Sequence, residues 1–105
     1  MLTVRLYLGQ SMNGRAIAPA AFRDFLARTV TPRFPSGFTV YEAQGQWRDT
    51  QTHAVTREGS RIVEIISPDS TELHARVEEV RKNYIARFHQ QAVGVVEFPV
   101  CGTFQ

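Results

Sequence analysis

The chain opens with apolar and polar residues in strict alternation, the period of a strand that buries one face. The apolar members of the alternation are Leu2, Val4, Leu6 and Leu8. Thr3, Arg5 and Tyr7 fall between them. A first strand is therefore predicted over residues 2–8, with these three side chains on its other face.

A first helix is predicted over residues 18–30, after a polar loop at residues 9–14. Pro19 suits a first helical turn. Apolar residues then recur at intervals of three and four, the spacing of one helix face; they are Phe22, Phe25, Leu26 and Val30. Pro32 is expected to end the helix, and Pro35-Ser36-Gly37 to turn the chain.

Two extended runs around a polar turn predict a β-hairpin. The first run covers residues 38–48, the turn covers residues 49–52, and the second run continues to about residue 67. Gly59-Ser60 within the second run predicts a bulge or a break. The nearly continuous apolar run at residues 62–66 is typical of a central strand that is covered on both sides.

A second helix is predicted after Pro68-Asp69-Ser70 and through about residue 90. Its buried face is marked by Leu73, Val77, Val80, Tyr84, Ile85 and Phe88. Asp69 and Glu72 have the spacing of a capping box. Residues 93–98 form the last predicted strand, and residues 99–105 are the tail.

The order β-α-β-β-α-β predicts an α+β fold of the ferredoxin-like type, a four-stranded antiparallel sheet with two helices on one face. A chain of 105 residues fits a single domain, residues 1–105. The sheet face opposite the helices then has no cover of its own, and it would carry Tyr7. This face is the predicted functional surface. Association through it, or through a sheet edge, predicts a homodimer.

Charge and cysteine content exclude several classes of protein. The formal net charge is +2, and the basic residues are scattered along the chain, which gives no nucleic-acid footprint. Cys101 is the one cysteine, so an intrachain disulfide and a CxxC motif are excluded. No segment approaches the roughly 20 apolar residues of a membrane span. No signal peptide is visible, so cytoplasmic residence is expected, with export as the alternative if a signal peptide was removed.

The densest group of candidate residues lies at residues 31–40. Pro32 and Pro35 stiffen the chain on either side of Arg33-Phe34, which fixes the direction of the arginine. A guanidinium held in this way suits a carboxylate or a phosphate. The structural alternative is that Arg33 pairs with a nearby acid while Phe34 fills the core.

A second group lies on the two arms of the predicted hairpin. Trp47-Arg48 on one arm and Arg57-Glu58 on the other would place an aromatic ring beside two guanidinium groups and a carboxylate. Such a mixture suits a planar anionic molecule. The structural alternative is a network of cross-strand pairs with Trp47 covering the sheet.

Acid–base chemistry has few candidates. Tyr7 on the uncovered face and Glu58 on the hairpin are able to exchange protons, whereas Tyr84 falls on the buried helix face. His53, His74 and His89 are too dispersed for a metal site, and His74 with Glu78 supplies only two ligands. Phosphate-loop, dinucleotide, nucleophile-elbow and zinc-protease motifs are absent. No metal and no cofactor are predicted.

Several segments together resemble the bacterial family named domain of unknown function 3574. They are Leu6-Tyr7-Leu8-Gly9, Thr31-Pro32-Arg33-Phe34-Pro35, Gly45-Gln46-Trp47-Arg48-Asp49, Arg57-Glu58-x-Ser60 and Tyr84-x-x-Arg87-Phe88. The resemblance spans nearly the whole chain and implies the fold and a bacterial origin, without an established activity. The chain departs from the family pattern in two places. Gln90-Gln91-Ala92 stands where family members often have a Gln-Glu-Ser-like segment, and the export signal that many members carry is not visible.

Two function classes follow. The first is a non-catalytic, homodimeric domain that binds a small anionic molecule, a carboxylate or a phosphate. Its ligand-binding residues would be Arg33, Trp47, Arg48 and Arg57. The second is a cofactor-independent enzyme that uses Tyr7 or Glu58 for isomerase, lyase or cyclase-like chemistry on a carbonyl or carboxylate substrate, with arginines stabilising the developing charge. A purely structural role is the third alternative.

Overall fold

A four-stranded antiparallel sheet with its helices on one face forms the protein in this computed structural model, which describes residues 1–104. The elements in chain order are β1 (Leu2–Gly9), β2 (Ser11–Met12), β3 (Arg15–Ala16), α1 (Pro19–Phe25), a π-helical segment (Leu26–Val30), α2 (Thr31–Arg33), β4 (Thr39–Arg48), β5 (Val55–Ser67), α3 (Thr71–Phe88) and β6 (Gly94–Pro99). The strand order is β4-β5-β1-β6. The ferredoxin-like plait is therefore confirmed, and only Gln105 of the predicted tail lies outside the described residues.

Strand register assigns each side chain to one of two sheet faces, because residues paired across strands project to the same side. Leu6 is paired with Val63 and Val95. The even-numbered residues of β1, from Leu2 to Leu8, all belong to the core beneath the helices. Tyr7 is paired with Ile62 and Gly94 on the other side. This second side, called the open face below, carries Thr3, Arg5, Tyr7, Tyr41, Gly45, Trp47, Glu58, Ser60, Ile62, Glu64, Val96 and Phe98.

An aromatic cluster joins the two helices above the sheet. The ring of Phe25 meets the ring of Tyr84 edge to face at 5.0 Å and that of Phe88 at 5.9 Å between centroids. The Tyr84 hydroxyl donates a hydrogen bond to the Gly9 carbonyl, which ties α3 to the end of β1. Tyr84 is thus a core residue whose hydroxyl has a hydrogen-bond partner, as its place on the buried face of the second helix predicts.

Burial raises the pKa of the Tyr84 hydroxyl to about 12. An unfolded tyrosine ionises at about pH 10. Since the folded pKa is the higher one, the stability that depends on the neutral hydroxyl is complete below about pH 10 and is lost as the pH rises towards 12. We expect the free energy of unfolding to fall across this window by less in Tyr84→Phe than in the wild type. Urea unfolding at stepped pH measures this, and parallel pH profiles would contradict it.

The first helix continues beyond its predicted end. Pro32 was expected to end it but lies within α2, and the chain reaches that turn through the π-helical segment. At its end the Thr31 N–H bonds to the Leu26 carbonyl, five residues back. A proline is tolerated in the first turn of a helix because its missing N–H has no partner there. The wider π-helical turn gives Pro32 that position.

Two further predictions about local structure are wrong. The segment predicted as a polar loop contains β2, which pairs with β3 through a turn at Asn13-Gly14, where both φ angles are positive. The bulge predicted at Gly59-Ser60 is absent, since β5 keeps an unbroken register with β4 through both residues. A Cβ at position 59 would meet the end of the Gln10 side chain, which would have to move aside.

The start of α3 also differs from its prediction. Ser70, not Asp69, caps the helix, and its hydroxyl accepts the Leu73 N–H at 3.0 Å. Asp69 instead contacts Nε2 of His74 at 2.7 Å. The helix ends at Phe88, and His89 adopts the left-handed conformation with a φ of 53°. No helix within residues 1–104 is long and apolar enough to cross a membrane.

The β4–β5 hairpin extends beyond the rest of the sheet. The pairing of β1 with β5 ends at Gly9 and Ser60, whereas β4 and β5 remain paired as far as Arg48 and Val55. We call residues 44–59 the hairpin arm. The Asp49 carboxylate closes its tip by accepting the N–H groups of Thr52 and Gln51 at 2.8 Å, and these bonds lower the pKa of Asp49.

Candidate functional site

A cavity of about 290 Å³ lies on the open face where β1 meets the hairpin arm. We call it the open-face cavity. Its lining includes the side chains of Tyr7, Trp47, Glu58 and Ser60, together with Gln90 and Ala92. Gly9, Gly45 and Gly59 supply bare backbone. The space exists because the glycines leave room beside larger residues, and the arm supplies one wall.

Strand register sets the positions of the polar groups. Glu58 is paired with Gly45, and Trp47 with Thr56 one step farther along the same face. Tyr7 is paired with Ile62, four residues along β5 from Glu58. At the rise of a strand this separates the Tyr7 and Glu58 backbones by about 13 Å. The two groups therefore lie at opposite ends of the cavity and would reach different atoms of a bound molecule.

Trp47 and Glu58 are both accessible to a ligand in the cavity. The indole is 52% exposed. Glu58 is also exposed, and it makes no ion pair within residues 1–104. An aromatic surface beside an uncompensated carboxylate favours a flat ligand that is neutral or cationic.

Sequence reasoning missed Ser60 and Gln90. Ser60 lies on the same face as Glu58, because the two residues are separated by one position on a strand; that alternation could have identified it. Gln90 donates from Nε2 to the carbonyls of Ser11 and Phe88, both at 2.8 Å. A Cβ at Gly9 would come within 2.5 Å of its Oε1 atom, so the glycine permits this close approach. No sequence pattern placed Gln90 at the cavity.

The arginines predicted on the hairpin lie on the other face of the arm. Arg57 is paired with Gln46, and Arg48 with Val55, both on the side opposite Trp47 and Glu58. Arg48 Nη2 lies 3.1 Å from Nδ1 of His53. The structure therefore brings Tyr7, Trp47 and Glu58 together without these two arginines.

Arg33 lies at the far end of the molecule's first helix, where Nε contacts Glu79 at 2.7 Å and Nη1 donates to the Thr29 carbonyl at 2.9 Å. Phe34 is buried in the core. These are the contacts that the structural alternative predicts. Arg33 also lines a separate cavity of about 270 Å³ together with Arg76, so its role in ligand binding stays a prediction.

The middle of the open face is filled by its own side chains. Arg5 Nε donates to Glu64 at 2.8 Å, and its guanidinium lies 5.0 Å from the centre of the Phe98 ring. The hydrogen bond to Glu64 raises the pKa of Arg5, and burial raises the pKa of Tyr41. Ile62 is buried in register between Tyr7 and Tyr41. These contacts separate the open-face cavity from a cavity of about 400 Å³ at the opposite end of the face, whose lining includes Thr39 and Ile66.

Residues 1–104 contain no group of three histidine, cysteine, aspartate or glutamate side chains that could hold a metal ion. His74 and Glu78, which supply too few ligands for a metal site in the sequence, each contact other residues. Nδ1 of His74 is instead 3.5 Å from Glu97 on β6, while Glu78 pairs with Arg81.

The chain belongs to the family described as "Protein of unknown function (DUF3574)", which matches residues 3–104. The family predicted from the sequence segments is confirmed. No curated protein matches the sequence.

Two solved structures share the fold. A phage SAM lyase in complex with S-methyl-5'-thioadenosine superposes with a TM-score of 0.68 at 15% identity, over 92% of this chain and 79% of that one. A phage SAM lyase in its apo state gives a TM-score of 0.60 at 19% identity, over 92% and 78% of the two chains. At these identities the likeness shows a common fold.

Proposed function

We propose that this member of the family binds a small molecule with a planar ring in the open-face cavity and acts on it by acid–base chemistry without a cofactor. One observation carries the proposal. Tyr7, Glu58 and Trp47, taken from three different strands as the acid–base and aromatic candidates, line the same cavity. The second of the two function classes, a cofactor-independent enzyme with isomerase, lyase or cyclase-like chemistry, is the one that this arrangement supports best.

The lining indicates the charge of the ligand. The cavity has a carboxylate and no arginine among its lining residues. A cation near the carboxylate would also gain from the face of the Trp47 ring. An adenosine thioether or its sulfonium parent fits this description, and the phage SAM lyases of the same fold give a reason to test these compounds first.

The separation of Tyr7 and Glu58 favours an elimination. Glu58 would take a proton from carbon, the electron pair would form a double bond, and the bond to the leaving group would break. Tyr7, at the other end of the cavity, would donate a hydrogen bond to the leaving group or to a carbonyl of the substrate. Gln90 and Ser60 would orient the molecule between them.

Trp47 gives a direct binding test because it is the one tryptophan of the chain. We expect S-methyl-5'-thioadenosine to change its fluorescence with a saturable dependence on concentration. Gly45→Leu should abolish the change by filling the cavity, since a Cβ at that position would meet only the Glu58 carbonyl oxygen, at a van der Waals distance of 3.7 Å. Gln44→Leu, on the opposite face of the same strand, should preserve it. A wild-type titration without saturation would refute binding of this ligand class.

The anion-binding class has a narrower basis. Arg33 and Arg76 line a common cavity, which offers two guanidinium groups to a carboxylate or a phosphate. A thermal-shift screen with both anions tests it on the wild type, Arg33→Ala and Arg48→Ala. Equal shifts in all three proteins would remove Arg33 and Arg48 from an anion site.

A homodimer is proposed as the assembled form. β4 and β6 are the two edges of the sheet, and exposed Val96 and Trp47 lie on the open face. Light scattering after size exclusion measures the mass directly. A mass of one chain at working concentration would contradict a dimer without affecting the ligand proposal.

A further inference from the structure

Another cavity, of about 420 Å³, lies on the helix side of the sheet between the first helix and the edge strand β4. We call it the edge cleft. Its apolar walls are formed by Pro19, Phe22, Leu26 and Val40. It shares no lining residue with the open-face cavity. Register places Val40 and Arg61 on the helix side, so the edge cleft and the open-face cavity lie on opposite faces of the sheet and can be tested separately.

Arg61 supplies the charged group of the edge cleft. It projects from β5 towards the helices, in register with Leu8 and Glu42. Its side chain is only 11% exposed, and the guanidinium lies over the Phe22 ring at 4.5 Å from the centroid. The ring fixes the plane of the guanidinium against the cleft wall.

The guanidinium of Arg61 is poorly compensated. Its Nη1 atom is buried and has no hydrogen-bond partner within residues 1–104. The nearest carboxylate, that of Glu42, is 4.0 Å away and 75% exposed. Buried polar groups in folded proteins usually have partners, and a buried charge without them is costly. A structure that retains such a group next to an open cavity leaves room for an external acceptor.

We propose that the edge cleft binds a small carboxylate with an apolar body and that Arg61 anchors the carboxylate. A guanidinium binds a carboxylate through two parallel hydrogen bonds. The apolar walls would cover a short alkyl chain or an aromatic ring. Arg23 at the rim adds a second positive charge, whereas Glu42 disfavours a doubly charged phosphate. A monoanion with one apolar group matches this lining best.

The probes are phenylacetate and its uncharged amide, phenylacetamide. Binding of each probe is measured from the backbone amide chemical shifts of the nitrogen-labelled protein. We expect phenylacetate to bind at least about tenfold more tightly than phenylacetamide, because only the acid offers a charged acceptor to the Arg61 guanidinium. The shifted signals should come from α1, β4 and β5. Trp47 fluorescence should stay unchanged, because Trp47 lies outside the edge cleft.

The test variants separate the anchor from general charge. Arg61→Met replaces the guanidinium by an apolar chain of similar length and should weaken phenylacetate binding by at least about tenfold. Arg15→Met removes an exposed arginine from β3, away from the cleft, and should leave the affinity unchanged. Val40→Glu places a negative charge on the cleft wall at an exposed edge position and should also weaken binding.

Selective binding of the acid, lost in Arg61→Met and Val40→Glu and kept in Arg15→Met, supports the site. No binding to the wild type, equal binding of acid and amide, or unchanged affinity in Arg61→Met overturns it. If Arg61→Met does not fold, Val40→Glu decides by the same criterion. A failure here would leave the response of Trp47 to S-methyl-5'-thioadenosine intact, so this proposal and the proposed function fail independently.

Discussion

Replacing Phe25 with alanine is expected to lower the free energy of unfolding by about 3–5 kcal/mol. The side chain is 0% exposed, and its ring lies edge to face against Tyr84 and Phe88 of α3. Its removal takes away the transfer free energy of the ring and leaves a cavity between the first helix and α3. Since small domains are stable by only about 5–15 kcal/mol, this is a large share of the total.

Urea unfolding followed by far-ultraviolet circular dichroism measures the loss. Phe104→Ala is the matched control, because that ring is 76% exposed and its removal should change stability by no more than about 0.5 kcal/mol. A similar small effect of Phe25→Ala would mean that the helices do not depend on this contact. Phe25→Leu should fall between the two, because leucine fills part of the cavity.

The fold was predictable because its main signals are local. Alternation in the first strand separates Leu6 from Tyr7 without knowledge of any partner strand, and register confirms that separation. The helical spacing of Phe25 and of Tyr84 likewise marks the faces that meet in the core. Each of these signals repeats every few residues, so it is visible in the sequence without knowledge of the tertiary structure.

The candidate site was predictable only in part. Adjacent residues of a strand project to opposite faces, so Trp47 and Arg48 could have been separated from the sequence. Which of Arg57 and Glu58 joins Trp47 depends on the register of the hairpin, and that register is set by the Asp49 turn. The predicted group of all four side chains therefore resolves into two pairs on opposite faces.

Features that depend on contacts distant in sequence were missed. Pro32 is accommodated by a π-helical segment whose hydrogen bonds no local pattern announces. Gln90 reaches the open-face cavity only because α3 ends beside Gly9. The burial of Arg61 follows from the packing of Phe22 over the sheet, a contact between residues that are distant in sequence.

The amide variant Glu58→Gln is expected to lower the turnover of the proposed lyase reaction by about 10²–10⁴-fold, the usual contribution of a general base. Glutamine keeps the shape of the side chain and cannot accept the proton. Binding of the uncharged thioether probe, read from Trp47, should change little because the cavity keeps its volume and its aromatic wall. The expected signature is thus a fall in kcat with nearly constant ligand affinity.

Glu72→Gln provides the control for this substitution, since that carboxylate lies exposed in the first turn of α3 and outside the cavity. It should retain full turnover. Mass spectrometry of the sulfonium substrate and the adenosine thioether product over time measures the turnover rate of each protein. Equal rates in Glu58→Gln and the wild type would remove Glu58 from the chemistry, while saturable binding without turnover in the wild type would leave a binding domain.

Tyr7→Phe then separates the two ends of the cavity. If Tyr7 assists the leaving group, loss of its hydroxyl should slow the same step and leave binding at the Glu58 end unchanged.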